Sequence, residues 1–150
     1  MFAKWSKVTI AAENYCDTID FNIDQISRKQ SIASYNFPQK TMFFSHINKI
    51  VEEAMTPEFK LIRLIVVNVL GEVYEVVCDD NTEIAVSRGR YTAFVKICDL
   101  RSSSSMLLDV KGLLCKIVSI ETHYDTEDIV YDVQSNKGNS KFVNGLMFRA

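Results

Sequence analysis

The chain has 150 residues, enough to bury a sizeable core in one domain, and we take residues 1–150 as a single unit. Hydrophobic residues make up 47% and charged residues 24%, a balance that excludes a disordered chain. The formal net charge of -2 argues against a protein that works by neutralising phosphates, so nucleic acid is not an expected partner.

In chain order, short bursts of β-branched and aromatic residues predict strands over 7–11, 31–35, 41–47, 59–69, 72–78, 83–86, 91–97, 106–110, 113–121, 129–133 and 141–143. Breakers separate them: Asn36-Phe37-Pro38, Thr56-Pro57, Gly71, Asp79-Asp80-Asn81, Arg88-Gly89, Lys111-Gly112 and Asn136-Lys137-Gly138. The nearly solid apolar stretch from 59 to 77 reads as two core strands joined at Gly71. Residues 48–55 fit two turns of helix about as well as an extended strand, with Ile50, Val51 and Ala54 on one side. Many short strands with turns between them make an all-β fold. The run Arg101 to Ser105 reads as a solvated turn.

No apolar run is long enough to span a bilayer, and residues 1–12 lack a signal-peptide pattern, so no membrane is expected. Cys16, Cys78, Cys98 and Cys115 show no paired spacing. They read as reduced thiols in a cytosol-like compartment, with no zinc site and no cofactor. His46 and His123 are the two imidazoles. His123 lies in an acidic hairpin tip with Glu121, Asp125, Glu127 and Asp128, which solvation explains more simply than a metal. Arg88, Arg90 and Tyr91 form a small basic-aromatic spot, but with no second basic cluster in sequence it reads as an exposed turn.

The order of the pieces resembles a known family. The opening "MFAKWSKVTIAAENYCDTIDFN" is similar to the start of Hint domains, the fold shared by inteins and Hedgehog autoprocessing domains. "SIASYNFPQKTMFFSHINKI" resembles the family's next strand pair. "EVYEVVCDDNTEIAVSRGRYTAFVKICDL" is similar to the segment carrying its Thr-x-x-His motif and the following Asp-Leu, here Asp99-Leu100. "CKIVSIETHYDTEDIVYDVQSNKGNSKFVNGLMFRA" resembles its closing stretch, which in inteins is a short apolar strand ending in His-Asn. The resemblance runs the whole length. It implies a pseudo-two-fold, horseshoe-shaped all-β domain whose termini meet at the centre.

The resemblance also says which groups splicing needs. A thiol or hydroxyl at the first position attacks the preceding carbonyl. A Thr and a His orient and protonate the scissile amide. A final Asn cyclises with help from further His residues. Here Met1 stands at the nucleophile's position, and a thioether has no proton to lose. If Met1 is the initiator, no peptide precedes it. Ser87 and Arg90 are the best placement for the Thr-x-x-His pair, with Asn81 and Thr82 as the alternative register; neither supplies an imidazole. Asn139 falls where a family His is often found, Arg149 replaces the penultimate His, and Ala150 replaces Asn. Phe2, Trp5, Met147 and Phe148 are expected to fill the former centre.

The resulting expectation is a catalytically degenerate, non-splicing Hint domain with no catalytic residues of its own. It would act as a structural or protein–protein interaction module, a subunit of a larger assembly such as a virus particle, and sit in the cytoplasm or within that particle. Its protein partner, or a second copy, would pair with edge strands. The alternative is a minimal intein in an inactivated form. A third reading uses Cys16, in the early loop, as a substitute nucleophile; a small apolar packing role explains that residue more simply.

Overall fold

The computed structural model describes residues 1–56, 60–123 and 129–150. Phe59, where one expected strand begins, Pro57 of a predicted breaker, and Asp125, Glu127 and Asp128 of the acidic tip lie outside the described residues. Fourteen strands form one continuous sheet: β1 (Phe2–Ala3), β2 (Lys7–Ala11), β3 (Thr18–Asn22), β4 (Ser31–Asn36), β5 (Thr41–Ala54), β6 (Leu61–Asn68), β7 (Val73–Asp79), β8 (Glu83–Ser87), β9 (Thr92–Lys96), β10 (Met106–Leu108), β11 (Leu114–Thr122), β12 (Ile129–Ser135), β13 (Ser140–Val143) and β14 (Leu146–Arg149). Two short 3-10 turns, Ile23–Gln25 and Ile97–Asp99, complete the regular structure, and no α-helix occurs among the described residues. Among the described residues no helix is long and apolar enough to cross a membrane.

The strands run β10-β11-β6-β7-β1-β12-β5-β4-β2-β13-β14-β8-β9, and the sheet curves into a horseshoe. β6 and β7 form the hairpin expected around Gly71, whose φ of +83 is readily adopted by glycine. Along β6 the buried Leu64, Val66 and Asn68 alternate with half-buried residues, while Leu61, on the opposite face, packs with Ala3, Val77 and Val130. Three strands fall outside the pattern-based list, one of them, β14, anticipated only through the family resemblance. β1 is too short to show a period, and β3 (TIDFN) is mostly exposed and partly acidic.

The helical option for residues 48–55 is overturned. β5 continues extended through Ala54, pairing first with β4 (Thr41 to His46) and then with β12 (Ile47 to Ala54). The ladder with β12 satisfies backbone groups that a short helix would have to satisfy alone. An isolated two-turn helix gains too little to compete.

The turn after β10 depends on one buried carboxylate. Asp109 is fully buried. Its Oδ2 accepts hydrogen bonds from Asn68 Nδ2 and the Tyr74 hydroxyl, both at 3.0 Å. Its Oδ1 accepts from the backbone N–H of Lys111 at 2.9 Å and of Leu113 at 2.8 Å. Four donors compensate the desolvated charge. Burial, reinforced by this carboxylate, pushes the Tyr74 phenol well above its ordinary range. Gly145 closes the same corner: its φ is +82, and a Cβ there would stand 2.5 Å from the Tyr74 ring. We expect Asp109→Ala, which strands these donors, to cost about 3 kcal/mol of stability, read by urea unfolding. An unchanged midpoint would show that Asp109 does not organise the turn.

Candidate functional site where the two ends of the chain meet

β1 is a two-residue strand inserted between β7 and β12, pairing Phe2 with Cys78 and with Tyr131. This places Met1 at the end of β7, where the Asp79 N–H donates to the Met1 carbonyl at 3.1 Å. From the other end, β14 pairs with β8 through Phe148 and Ile84. The fully buried Phe2 and Phe148 rings meet edge to face with centroids 5.0 Å apart. Phe2 and Phe148 thus fill the centre as expected, whereas the other two aromatic and apolar candidates do not. Trp5 is 44% exposed beside Lys4 and Lys7, away from this core. Met147, on the opposite face of β14 by strand alternation, packs with Ala33, Ala85 and Phe142.

Beside the aromatic pair is a cleft of about 330 Å³ lined by Met1, Asp79, Thr82, Asp132, Lys141 and Arg149, with Asn81, Glu83, Gln134 and Ala150 at its margin. The Met1 amino nitrogen donates to Asp79 Oδ1 at 2.9 Å and to Thr82 Oγ1 at 3.2 Å, and lies 3.8 Å from Asp132 Oδ2. The Thr82 hydroxyl donates to Asp79 Oδ1. Lys141, only 2% exposed, donates from Nζ to Asp132 Oδ1 at 2.5 Å and to the Val133 carbonyl at 3.1 Å. The same nitrogen lies 5.4 Å from the Phe2 ring centroid. A buried ammonium so placed needs its carboxylate partner.

The structure therefore brings Met1, Asn81, Thr82, Arg149 and Ala150 together and separates Ser87 and Arg90 from them. The latter two lie beyond the far end of β8, against a different cleft. The register with Thr82 is the one that reaches the chain ends. Asp79 and Thr82 have the i, i+3 spacing of the Thr-x-x-His motif, with Asp and Thr in its two positions. Ser87 and Arg90 have the same spacing eight residues later, at the other end of β8. Asn139 faces the end of the chain through its backbone, its carbonyl accepting from the Ala150 N–H at 3.1 Å. Arg149 is exposed and turned toward β8 and β9, 2.9 Å from Glu83 and 5.9 Å from the Phe94 centroid. No imidazole lines the cleft; His46 is exposed on β5, and His123 follows β11. Asp79, Asp132 and Lys141 were not singled out from sequence. Asp132 and Lys141 lie in "VYDV" and "KFVNG", whose strand character was visible but whose charge pairing was not.

Chemically, the cleft offers carboxylates, a threonine hydroxyl and an ammonium. It has no thiol, since Met1 carries a thioether and Cys78 is fully buried in the adjoining strand. Burial pushes the Cys78 and Cys115 thiols up to about 12, far from the thiolate form that reacts. Cys16 is exposed in the turn between β2 and β3 and does not line the cleft; Cys98 is also exposed. No group of three or more metal-ligating side chains occurs among the described residues.

No protein-family profile matches the chain, and no curated protein matches it in sequence. Solved structures do match. An intein from a hyperthermophile superposes with a TM-score of 0.81 at 13% identity, over 99% of this chain and 98% of that one. A bacterial intein-like domain from Clostridium thermocellum matches with a TM-score of 0.73 at 16% identity, over 100% and 99%. A DnaB intein from Synechocystis matches with a TM-score of 0.71 at 14% identity, over 99% and 96%. At these identities the likeness is one of fold. The chain has the intein-like Hint fold along its whole described length.

Two outcomes follow from this geometry. Native alkylation followed by intact mass should label Cys16 and Cys98 quickly and Cys78 and Cys115 slowly. A Cys16 far faster than Cys98 would mark it as an activated nucleophile after all. Asp132→Asn should cost about 3 kcal/mol, and Lys141→Met less, because the ammonium it would leave unpaired is the more deeply buried partner, at 3% exposure against 19%. Equal losses in chemical denaturation would overturn that ranking.

Proposed function

We propose that this chain is a non-splicing Hint-fold domain that serves as a structural or protein–protein interaction module within a larger assembly. The observation that carries the reading is the composition of the central cleft. The position where splicing requires a nucleophile carries the Met1 thioether, and the Thr-x-x-His spacing is filled by Asp79 and Thr82. Arg149 and Ala150 stand where the fold's chemistry calls for an imidazole and a side-chain amide. The polar groups that remain are engaged with one another: Lys141 with Asp132, and Thr82 with Asp79. Such pairing suits a packed joint. Reuse of a scaffold after its site is gone is consistent with how folds carry unrelated functions.

A second reading, a minimal intein in an inactivated form, draws on the near-complete overlap with intein chains. Ala150 alone would be a natural change for trapping a precursor. The absence of any imidazole at the cleft favours the first reading, because an inactivated precursor would need to lose only one or two groups.

The test is an intact mass. A small tag is fused to each end, and the protein is incubated with and without thiol. Both tags should stay attached. Loss of either tag at Met1 or Ala150 would overturn the non-splicing reading. The double change Met1→Cys with Ala150→Asn separates the two readings further. The tagged variant should remain whole if the site is degenerate; if the chain is an inactivated intein, thiol should release the N-terminal tag and cyclisation of the restored Asn the C-terminal one.

A further inference from the structure

We infer that a second cleft, together with the free edge of β9, docks an extended acidic segment of a partner protein carrying an apolar or aromatic side chain. This inference rests on the interaction-module reading above and names the class of partner.

The cleft has a volume of about 630 Å³, within the range of ligand pockets. It lies among three turns, those following β4, β8 and β10. Its floor is the buried pair Phe142 and Met147, and its walls include Tyr35, Phe37 and Leu108. Ser87 and Arg90, which the family resemblance puts at the former Thr-x-x-His positions, line this cleft. So does Lys40, from the turn after β4, which adds a further cation to the Arg88-Arg90-Tyr91 spot. Tyr91 is 66% exposed at the rim.

The charge is one-sided. Neither Lys40 nor Arg90 has an ion-pair partner among the described residues. The carboxylate that also lines the cleft, Asp109, already has both oxygens occupied by four donors. In a chain of net charge -2, a locally basic, aromatic-walled cleft complements a carboxylate beside an apolar group.

The edge supplies direction. β9 pairs only with β8. The Arg88 N–H donates to the Tyr91 carbonyl and the Ile97 N–H to the Thr82 carbonyl, so the alternation turns the backbone groups of residues 93 and 95 toward β8. Those of Thr92, Phe94 and Lys96 point to the open side, and none has a hydrogen bond among the described residues. Thr92 lines the cleft, and the Phe94 ring lies 6.0 Å from that of Phe37, so the open edge and the cleft share one face. A strand added there would pair through its main chain and place alternate side chains over the cleft. A nucleic acid could use the cations and the rings but not this ladder.

The probe is a synthetic peptide alternating Asp with Phe or Val, titrated into isotope-labelled protein and followed by amide NMR shifts. Shifts should concentrate at Tyr91, Thr92, Phe94 and Lys96, and a Lys-for-Asp version of the peptide should not bind. The double change Lys40→Glu with Arg90→Glu should weaken binding about tenfold. Thr92→Pro removes one outward N–H at the first residue of the strand, where proline is tolerated, and should weaken binding similarly. Should that variant misfold, a peptide N-methylated at alternate amides tests the same ladder on the unchanged protein and should fail to bind. The inference is overturned by no binding at millimolar peptide, by shifts confined to other residues, or by a single-stranded oligonucleotide that shifts the same amides more tightly than the peptide. Retained tags with no peptide binding would sink this inference alone. Lost tags with peptide bound would sink the non-splicing reading alone.

Discussion

The central joint of the sheet is the insertion of β1. Two residues, Phe2 and Ala3, occupy the seam between β7 and β12, while on the far side a single pairing of β10 with β8, Leu107 with Val86, joins the same two halves. So short a strand offers few ladder hydrogen bonds. What holds it is burial: both residues are fully inaccessible, and Phe2 lies against Phe148 on one side and below the Lys141 ammonium on the other. Burying an aromatic side chain contributes more than a few exposed backbone bonds can. The first residues and the last residues of the chain therefore stabilise one another, and each needs the other in place.

That constraint also explains the character of the central cleft. Met1, Asp79, Thr82, Asp132 and Lys141 come from four separate segments, and each is positioned by a strand that ends or passes at the seam. In a Hint fold the same convergence allows a first residue to react with its neighbourhood. Here the convergence brings carboxylates to nitrogens. These interactions tie strands together, and a carboxylate beside a buried ammonium specifies one arrangement of those strands over others.

Much of the fold could be read from sequence, because hydrophobic alternation reports directly on half-buried strands. β2, β4, β6, β7, β8, β11 and β12 announce themselves through Val, Ile and aromatic residues bounded by turn signals. β1 and β3 did not, since one is too short for a period and the other buries little. The segment after His46 was ambiguous because its pattern is compatible with both periods, and a partner strand more than seventy residues later, β12, decided it. The site was less legible. Asp79 with Thr82 and Ser87 with Arg90 have identical spacing within one hairpin, and nothing local distinguishes the pair at the seam from the pair at the opposite tip. Lys141 sits between Ser140 and Phe142 with no sign that it would be buried; its carboxylate partner, Asp132, lies nine positions away on β12, which does not pair with β13 in the sheet.

The seam has a consequence for how the chain is made. During synthesis Phe2 appears long before its partners Tyr131 and Phe148, so β1 has no complete slot to enter until residue 148 has emerged. Meanwhile β6 and β7, joined by a tight hairpin, are free to form early, leaving Cys78's edge waiting for Phe2. An apolar leading segment and an open, β-rich edge coexist through most of translation, the state in which nascent chains are most prone to pair with one another. The strongly local hairpins reduce that hazard, and the late arrival of a two-residue strand turns a set of provisional arms into a single cooperative body.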